Sequence, residues 1–290
     1  MVPPHPNSES SGCGVNTRAA LGIFPLSNSI ILNLYKSKKP YNELIVKSFD
    51  EVVSRALSQS TPVKNILRQT HSENTISLTE NTIYLIDNPE AAQSVIRVGC
   101  DTVSRNHEDY NKISLLNYIL GGDYSSRLNL NLRQDKGYSY GFYSSISWNN
   151  NPSLWVCRGS VQTEVTKESI VEILKEISEI KTITPVSKPE FENAKQSILK
   201  GMPSQFQTNG QLMSQIIKIA AYDLPVNYFQ NYINDISSID HEMIVNTAEK
   251  HINGNNLAIV VVGDAKKIKP SLESLNMPII HSDPYGNLIN

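Results

Sequence analysis

The order of hydrophobic patterns predicts an α+β domain: a mostly antiparallel sheet of about five strands with helices packed on one face. Two observations carry that prediction. Paired runs of strand-like alternation come first, and several helical periodicities then follow in a block instead of alternating with strands. The composition supplies the core, since 39% of the 290 residues are hydrophobic and only 19% are charged.

Residues 1–80 stand apart from this pattern. They are rich in Ser, Asn, Pro and Lys, with only short periodic pieces such as Phe49 to Leu57. The expectation is an irregular N-terminal extension or linker, followed by one organised domain over residues 81–290.

The elements of that domain follow in order. Ile83-Tyr84-Leu85-Ile86 predicts a strand ended by Asp87-Asn88-Pro89, and Gln93 to Gly99 predicts its partner in a hairpin. Ile113, Leu116 and Leu120 recur at helical spacing between Asp109 and Leu120, with Gly121-Gly122 expected to end the helix through positive φ. Tyr138 to Trp148 and Leu154 to Val161 alternate as two strands around the turn-forming run Asn149-Asn150-Asn151-Pro152. A helix from Lys167 to Ile180 carries Ile170, Ile173, Leu174 and Ile177 on one stripe, with Thr166 as the expected N-cap. Ser187-Lys188-Pro189-Glu190 reads as a capping box opening a helix, which Gly201-Met202-Pro203 should break. Further helices are predicted at Gly210 to Tyr222 and His241 to Ile252. Leu257 to Val262 predicts a short buried strand, followed by a short helix and a tail.

Several function classes are excluded on chemical grounds. A net charge of -2 does not suit a nucleic-acid binder. No run approaches the ~18 apolar residues of a membrane span. The start, Met1 to Pro6, lacks the basic and apolar blocks of a secretory signal, so a soluble protein of unassigned compartment is expected. The three cysteines, Cys13, Cys100 and Cys157, are too scattered for a zinc knot or a disulfide framework. None of the six histidines sits in a zinc-hydrolase helix: His241-Glu242 begins such a pattern, but position 245 is Val245. A metal site or cofactor built from this chain alone is therefore not expected. Neither a phosphate loop nor a Gly-x-Ser-x-Gly elbow is present.

One segment concentrates chemistry. Leu132-Arg133-Gln134-Asp135-Lys136-Gly137-Tyr138-Ser139-Tyr140 places a guanidinium and two phenols where a helical pattern becomes a strand pattern. Arg and Tyr donate hydrogen bonds to a carbonyl or a developing oxyanion but break no bond alone. The residues also allow a plainer reading, in which Tyr138, Tyr140, Phe142, Ile146 and Trp148 form a period-two core stripe and Arg133 pairs with a carboxylate such as Asp135.

Ile83 to Pro89 with Ala92-Gln93-Ser94, then Leu120-Gly121-Gly122, Ser125-Ser126-Arg127-Leu128, Leu132-Arg133 and Gly137-Tyr138-Ser139-Tyr140, resemble the C-terminal, non-zinc-binding homology domain of the pitrilysin/insulinase family of zinc peptidases. Val261-Val262-Gly263-Asp264 and Asp283-Pro284-Tyr285-Gly286 fit the same pattern. The resemblance implies a role as one half of a peptidase chamber. Arg133 would hold a backbone carbonyl of an extended peptide, and Tyr140 would donate to the oxyanion formed at the zinc of a partner domain. It implies as partners a zinc-binding domain or subunit of the family and an extended peptide substrate. Because the His-x-x-Glu-His motif is missing here, the chain is expected to be inactive alone. Two alternatives are a non-catalytic structural or peptide-binding module, like the core subunits of this fold in respiratory complexes, and a truncated fragment of a longer peptidase.

Overall fold

The computed structural model describes residues 78–150 and 152–289. The expected N-terminal extension therefore lies, but for its last three residues, outside the described residues. The strands are β1 (Thr82–Asp87), β2 (Gln93–Thr102), β3 (Ser139–Ser147), β4 (Ser153–Gln162), β5 (Ala258–Gly263), β6 (Ile279–Ser282) and β7 (Leu288–Ile289). The helices are α1 (Tyr110–Asn117), α2 (Arg127–Asn129), α3 (Thr166–Glu179), α4 (Lys188–Gly201), α5 (Asn209–Tyr222), α6 (Tyr228–Ser238), α7 (His241–His251) and α8 (Ala265–Glu273). Wider π-type turns continue α1 over Tyr118–Gly122 and α2 over Leu130–Asp135.

The α+β class stands, with corrections to the sheet. It has seven strands in the order β3-β4-β2-β5-β1-β6-β7. It is mixed, because β1 runs parallel to both β5 and β6, while the other pairs are antiparallel. β1 and β2 do not form the expected hairpin, since β5 lies between them. The reason lies in β5 itself: Ala-Ile-Val-Val-Val-Gly is an unbroken apolar run, which loses least when neighbours flank it on both sides. The tail supplies β6 and β7, too short to show a period in the sequence.

Alternation decides which face of the sheet is covered. Ile83, Leu85, Ile96, Val98, Cys157, Val161, Ile259 and Val261 are fully buried, in one core with Ile170, Ile173 and Ile177 of α3 and Ile244 and Ala248 of α7. Their strand neighbours, including Tyr84, Val95, Arg97, Val156, Arg158 and Val260, are half-buried or exposed on the other face.

The helix termini follow their local chemistry, with two exceptions. Ser187 and Glu190 form the expected capping box, Thr208 and Gln211 form a second, and the Asp240 carboxylate accepts the Met243 N–H. Thr166 is not the N-cap of α3. It is buried and its hydroxyl instead bonds Ser94 Oγ at 2.7 Å and the Thr163 carbonyl at 2.8 Å, tying α3 to β2. Nor do Gly121 and Gly122 adopt positive φ, which among the described glycines belongs to Gly137 and Gly286. Gly121 is needed for closeness instead: a Cβ there would stand 2.8 Å from the Ser144 backbone nitrogen of β3. Helix α6 was not among the predicted helices, although Phe229, Tyr232, Ile233 and Ile236 recur at helical spacing, and Phe229 and Ile236 anchor it. Its Tyr228 hydroxyl meets the buried Arg105 guanidinium at 2.8 Å, and that cation also lies 3.4 Å from the centre of the Tyr110 ring.

Candidate functional site

The segment that concentrates chemistry folds as a helix-to-strand reversal at the sheet edge. The wide turn Leu130–Asp135 is held to α3, where Asn131 Nδ2 donates to Glu172 and Glu176 and Lys136 pairs with Glu172 at 3.2 Å. Gly137, at φ +66°, then reverses the chain, and the Tyr138 N–H reaches back to the Leu132 carbonyl at 2.9 Å. This closure sets β3 directly behind the turn that carries Arg133.

β3 then bulges. Ser139 stands opposite Val161 and Phe142 opposite Gly159, so Tyr140 and Gly141 together face the single residue Ser160. Ser139 Oγ accepts the Gly141 N–H at 3.1 Å and donates to the Ser160 carbonyl at 2.8 Å. The bulge separates what a regular strand would place on one face. Phe142 is fully buried over Gly159, while Tyr140 is 90% exposed. The single aromatic stripe of the plainer reading therefore does not form. Among the described residues, the Tyr140 hydroxyl has no hydrogen-bond partner.

Arg133 is half-buried, with its guanidinium carbon 4.6 Å from the centre of the exposed Tyr124 ring. Among the described residues it pairs with no carboxylate, Asp135 included. Buried Asn129, which the sequence reading passed over, links the two halves of the site. Its Nδ2 donates to the Tyr124 carbonyl at 2.6 Å and its Oδ1 accepts the Phe142 N–H at 3.2 Å. Glycines inside strand patterns, Gly141 and Gly159, were the available signal for the bulge. Arg127, from the same block, has a structural task. It clamps Glu190 at 2.7 and 2.9 Å and donates to the Pro185 carbonyl, fastening this region to the start of α4.

Cys100 is pushed up to about 11 by burial and by Asp101, and burial pushes the Cys157 thiol higher still, so neither is an effective nucleophile at neutral pH. His107, Asp109 and His251 bring potential metal-ligand atoms within 4.8 Å of one another. The set is not arranged as an open zinc site: Lys112 and Lys250 occupy the Asp109 oxygens at 2.5 and 2.8 Å. The cluster is an ion-pair network joining the start of α1 to the end of α7.

Fold and site together define a class of protein: an α+β domain that presents a solvent-facing phenol from a sheet-edge bulge. A family model described as the peptidase M16 inactive domain matches residues 43–198. The chain belongs to that family, in agreement with its resemblance to the non-zinc-binding domain of the pitrilysin/insulinase peptidases. The match begins within residues that the sequence reading assigned to the extension. A Helicobacter pylori protein named non-peptidase homolog YmxG is 25% identical over 163 residues, 56% of this chain and 37% of that protein. A Bacillus subtilis protein named uncharacterized zinc protease YmxG is 24% identical over 158 residues, 53% of this chain and 38% of that protein. The chain thus spans less than half the length of these relatives. A solved M16 inactive domain from Pseudomonas fluorescens shares the fold, with a TM-score of 0.59 at 21% identity over 73% of this chain and 48% of that one. Among the described residues, no helix is long and apolar enough to cross a membrane.

Proposed function

We propose that this chain is the substrate-holding half of an M16-type peptidase chamber and acts with a zinc-bearing partner domain or subunit. The observation that carries the reading is the bulge in β3, which turns the Tyr140 hydroxyl out to solvent while the strand stays anchored through Phe142. Arg133 would bind a peptide carbonyl, and Tyr140 would donate to the oxyanion that develops at the scissile bond. Among the described residues β3 is the outermost strand at one side of the sheet, and its outer edge would take an extended peptide by strand addition. Zinc would come from the partner, because the sequence holds no His-x-x-Glu-His motif.

The test is turnover of an extended peptide by the reconstituted pair. Tyr140→Phe should lower kcat on the order of 100-fold with little change in KM. Arg133→Ala should chiefly raise KM. The purified chain alone should give no turnover, with or without added zinc. A second reading, a non-catalytic module of the same fold, is favoured by the Helicobacter pylori relative's description as a non-peptidase homolog. Unchanged turnover by Tyr140→Phe would select it.

A further inference from the structure

The sheet face that the described helices leave uncovered carries an arrangement the site above does not use. Arg97 of β2 and Arg158 of β4 stand directly opposite each other in the antiparallel register, and both are exposed. Tyr143 of β3 continues the row beyond Arg158, and Val260 of β5 continues it beyond Arg97. These two arginines are the only Lys or Arg residues in the seven strands. Like charges set opposite each other on a sheet destabilise it. Among the described residues, neither arginine has a carboxylate partner. The strands hold two carboxylates. Asp87 is taken up at the end of β1, where it accepts the Ala265 N–H, and Asp101 lies four residues along β2 from Arg97, about 13 Å away along the backbone, lining the same depression without forming an ion pair with it. Among the described residues the pair therefore faces outward without a carboxylate bound to it, on a chain whose net charge is -2.

Around this pair the face is apolar. Val95, Tyr143 and Leu154 are each about 40% exposed, at 39%, 39% and 44%. A depression of about 470 Å³ opens beside Arg97, lined on its apolar side by Gly99, Val156, Ala258 and Val260 and at its other end by Asp101, Asn253 and Asn256. That volume is in the range of ligand clefts. The bulge also turns Tyr140 toward this side, since Tyr140 and Gly141 share the position opposite Ser160, whose β2 neighbour is the exposed Val95. The uncovered face is thus continuous with the candidate site.

We propose that the uncovered face docks an extended acidic peptide, with one Asp or Glu side chain held between Arg97 and Arg158 and apolar side chains seated on Val95, Tyr143, Leu154 and the depression. Guanidinium forks bind a carboxylate in two-pronged fashion, and an anion between them relieves the repulsion the fold otherwise carries. This inference deepens the peptide-holding reading and rests on it, by naming the class of peptide that half-chamber takes.

Binding of fluorescein-labelled peptides to the full chain tests it. One peptide carries Glu amid apolar residues, and a second replaces Glu by Gln, both acetylated and amidated at their ends. A third is the Gln peptide with a free C-terminal carboxylate. The Glu peptide should bind at least tenfold more tightly than the Gln peptide. Raising the salt should weaken only the former. Arg97→Gln plus Arg158→Gln should erase the preference without lowering the melting temperature. Equal binding of Glu and Gln peptides, or full preference in the double variant, overturns the proposal. So does tight binding of the third peptide, which would assign the pair to a chain terminus. Self-association that the double variant abolishes would assign the face to a second copy, and also overturns it. Failure here leaves the effect of Tyr140→Phe on turnover unchanged, so the two readings fail in different measurements.

Discussion

Asn129 is the residue on which the geometry of the candidate site turns. One buried amide satisfies both the Tyr124 carbonyl and the Phe142 N–H, so it holds the platform under Arg133 and the base of the Tyr140 bulge together. Asn129→Ala would leave both backbone groups unpaired in a buried setting, and we expect it to cost about 2 kcal/mol in urea denaturation. Hydrogen exchange at the Phe142 amide should quicken by more than the global loss of stability accounts for, because the bulge loses its anchor locally. Arg133 and Tyr140 were singled out through the resemblance to the family block, but what their side chains face was not readable. A period-two reading puts Tyr140 and Phe142 on the same face, and only the extra residue opposite Ser160 separates them. The opposition of Arg97 and Arg158 was beyond reach for a related reason. It depends on the pairing register of two strands distant in sequence, and local pattern carries no register.

At the scale of elements, the contact between the end of α1 and β3 sets how close the site sits to the core. Gly121 makes that contact possible, since any Cβ would press on the Ser144 backbone and side chain. Gly121→Ala should therefore destabilise by about 2 kcal/mol through overpacking, read as a lower urea midpoint. Gly210→Ala, in the first turn of α5 with nothing near its Cβ position, should be neutral or stabilise by about 0.5 kcal/mol, which controls for the generic effect of removing a glycine. The elements with sustained periods were readable because their signal is local: in α4, α5 and α7 an apolar stripe begun by a side chain that accepts an N–H of the first turn, and in α3 the stripe alone. Pairing was not readable, because β1 and β2 are adjacent in sequence yet separated by a strand some 170 residues further on. The sequence favours the hairpin, but the apolar run of β5 takes the central place by burying on both sides.

For the whole molecule, the Asp109 network spans the domain between two helices far apart in sequence. Asp109 precedes α1, while Lys250 and His251 close α7, and their contacts at 2.8 Å span an interval of more than 140 residues. Hydrogen bonds from Lys112 first, then from Lys250 and His251, outweigh burial and hold the Asp109 carboxyl well below the usual carboxylate range. In the unfolded chain the same group titrates near about 3.9. The folded state therefore binds fewer protons here than the unfolded state in the acid range below that value. The stability that Asp109 contributes is complete above about pH 4 and is lost as the pH falls toward its depressed folded value. Asp109→Asn should accordingly lower the urea midpoint at pH 7 and shrink the gap in midpoint between pH 7 and pH 3. A gap as large in the variant as in the parent chain would show that other carboxylates govern acid unfolding. The network also bears on function at this scale. α1 leads through its π-turn to Gly121 and on to the Arg133 turn, so a loosened α1 should reach the candidate site. In the reconstituted assay Asp109→Asn should then raise the KM of the peptide without the loss of kcat expected for Tyr140→Phe, because it displaces the platform while leaving the phenol that meets the oxyanion in place.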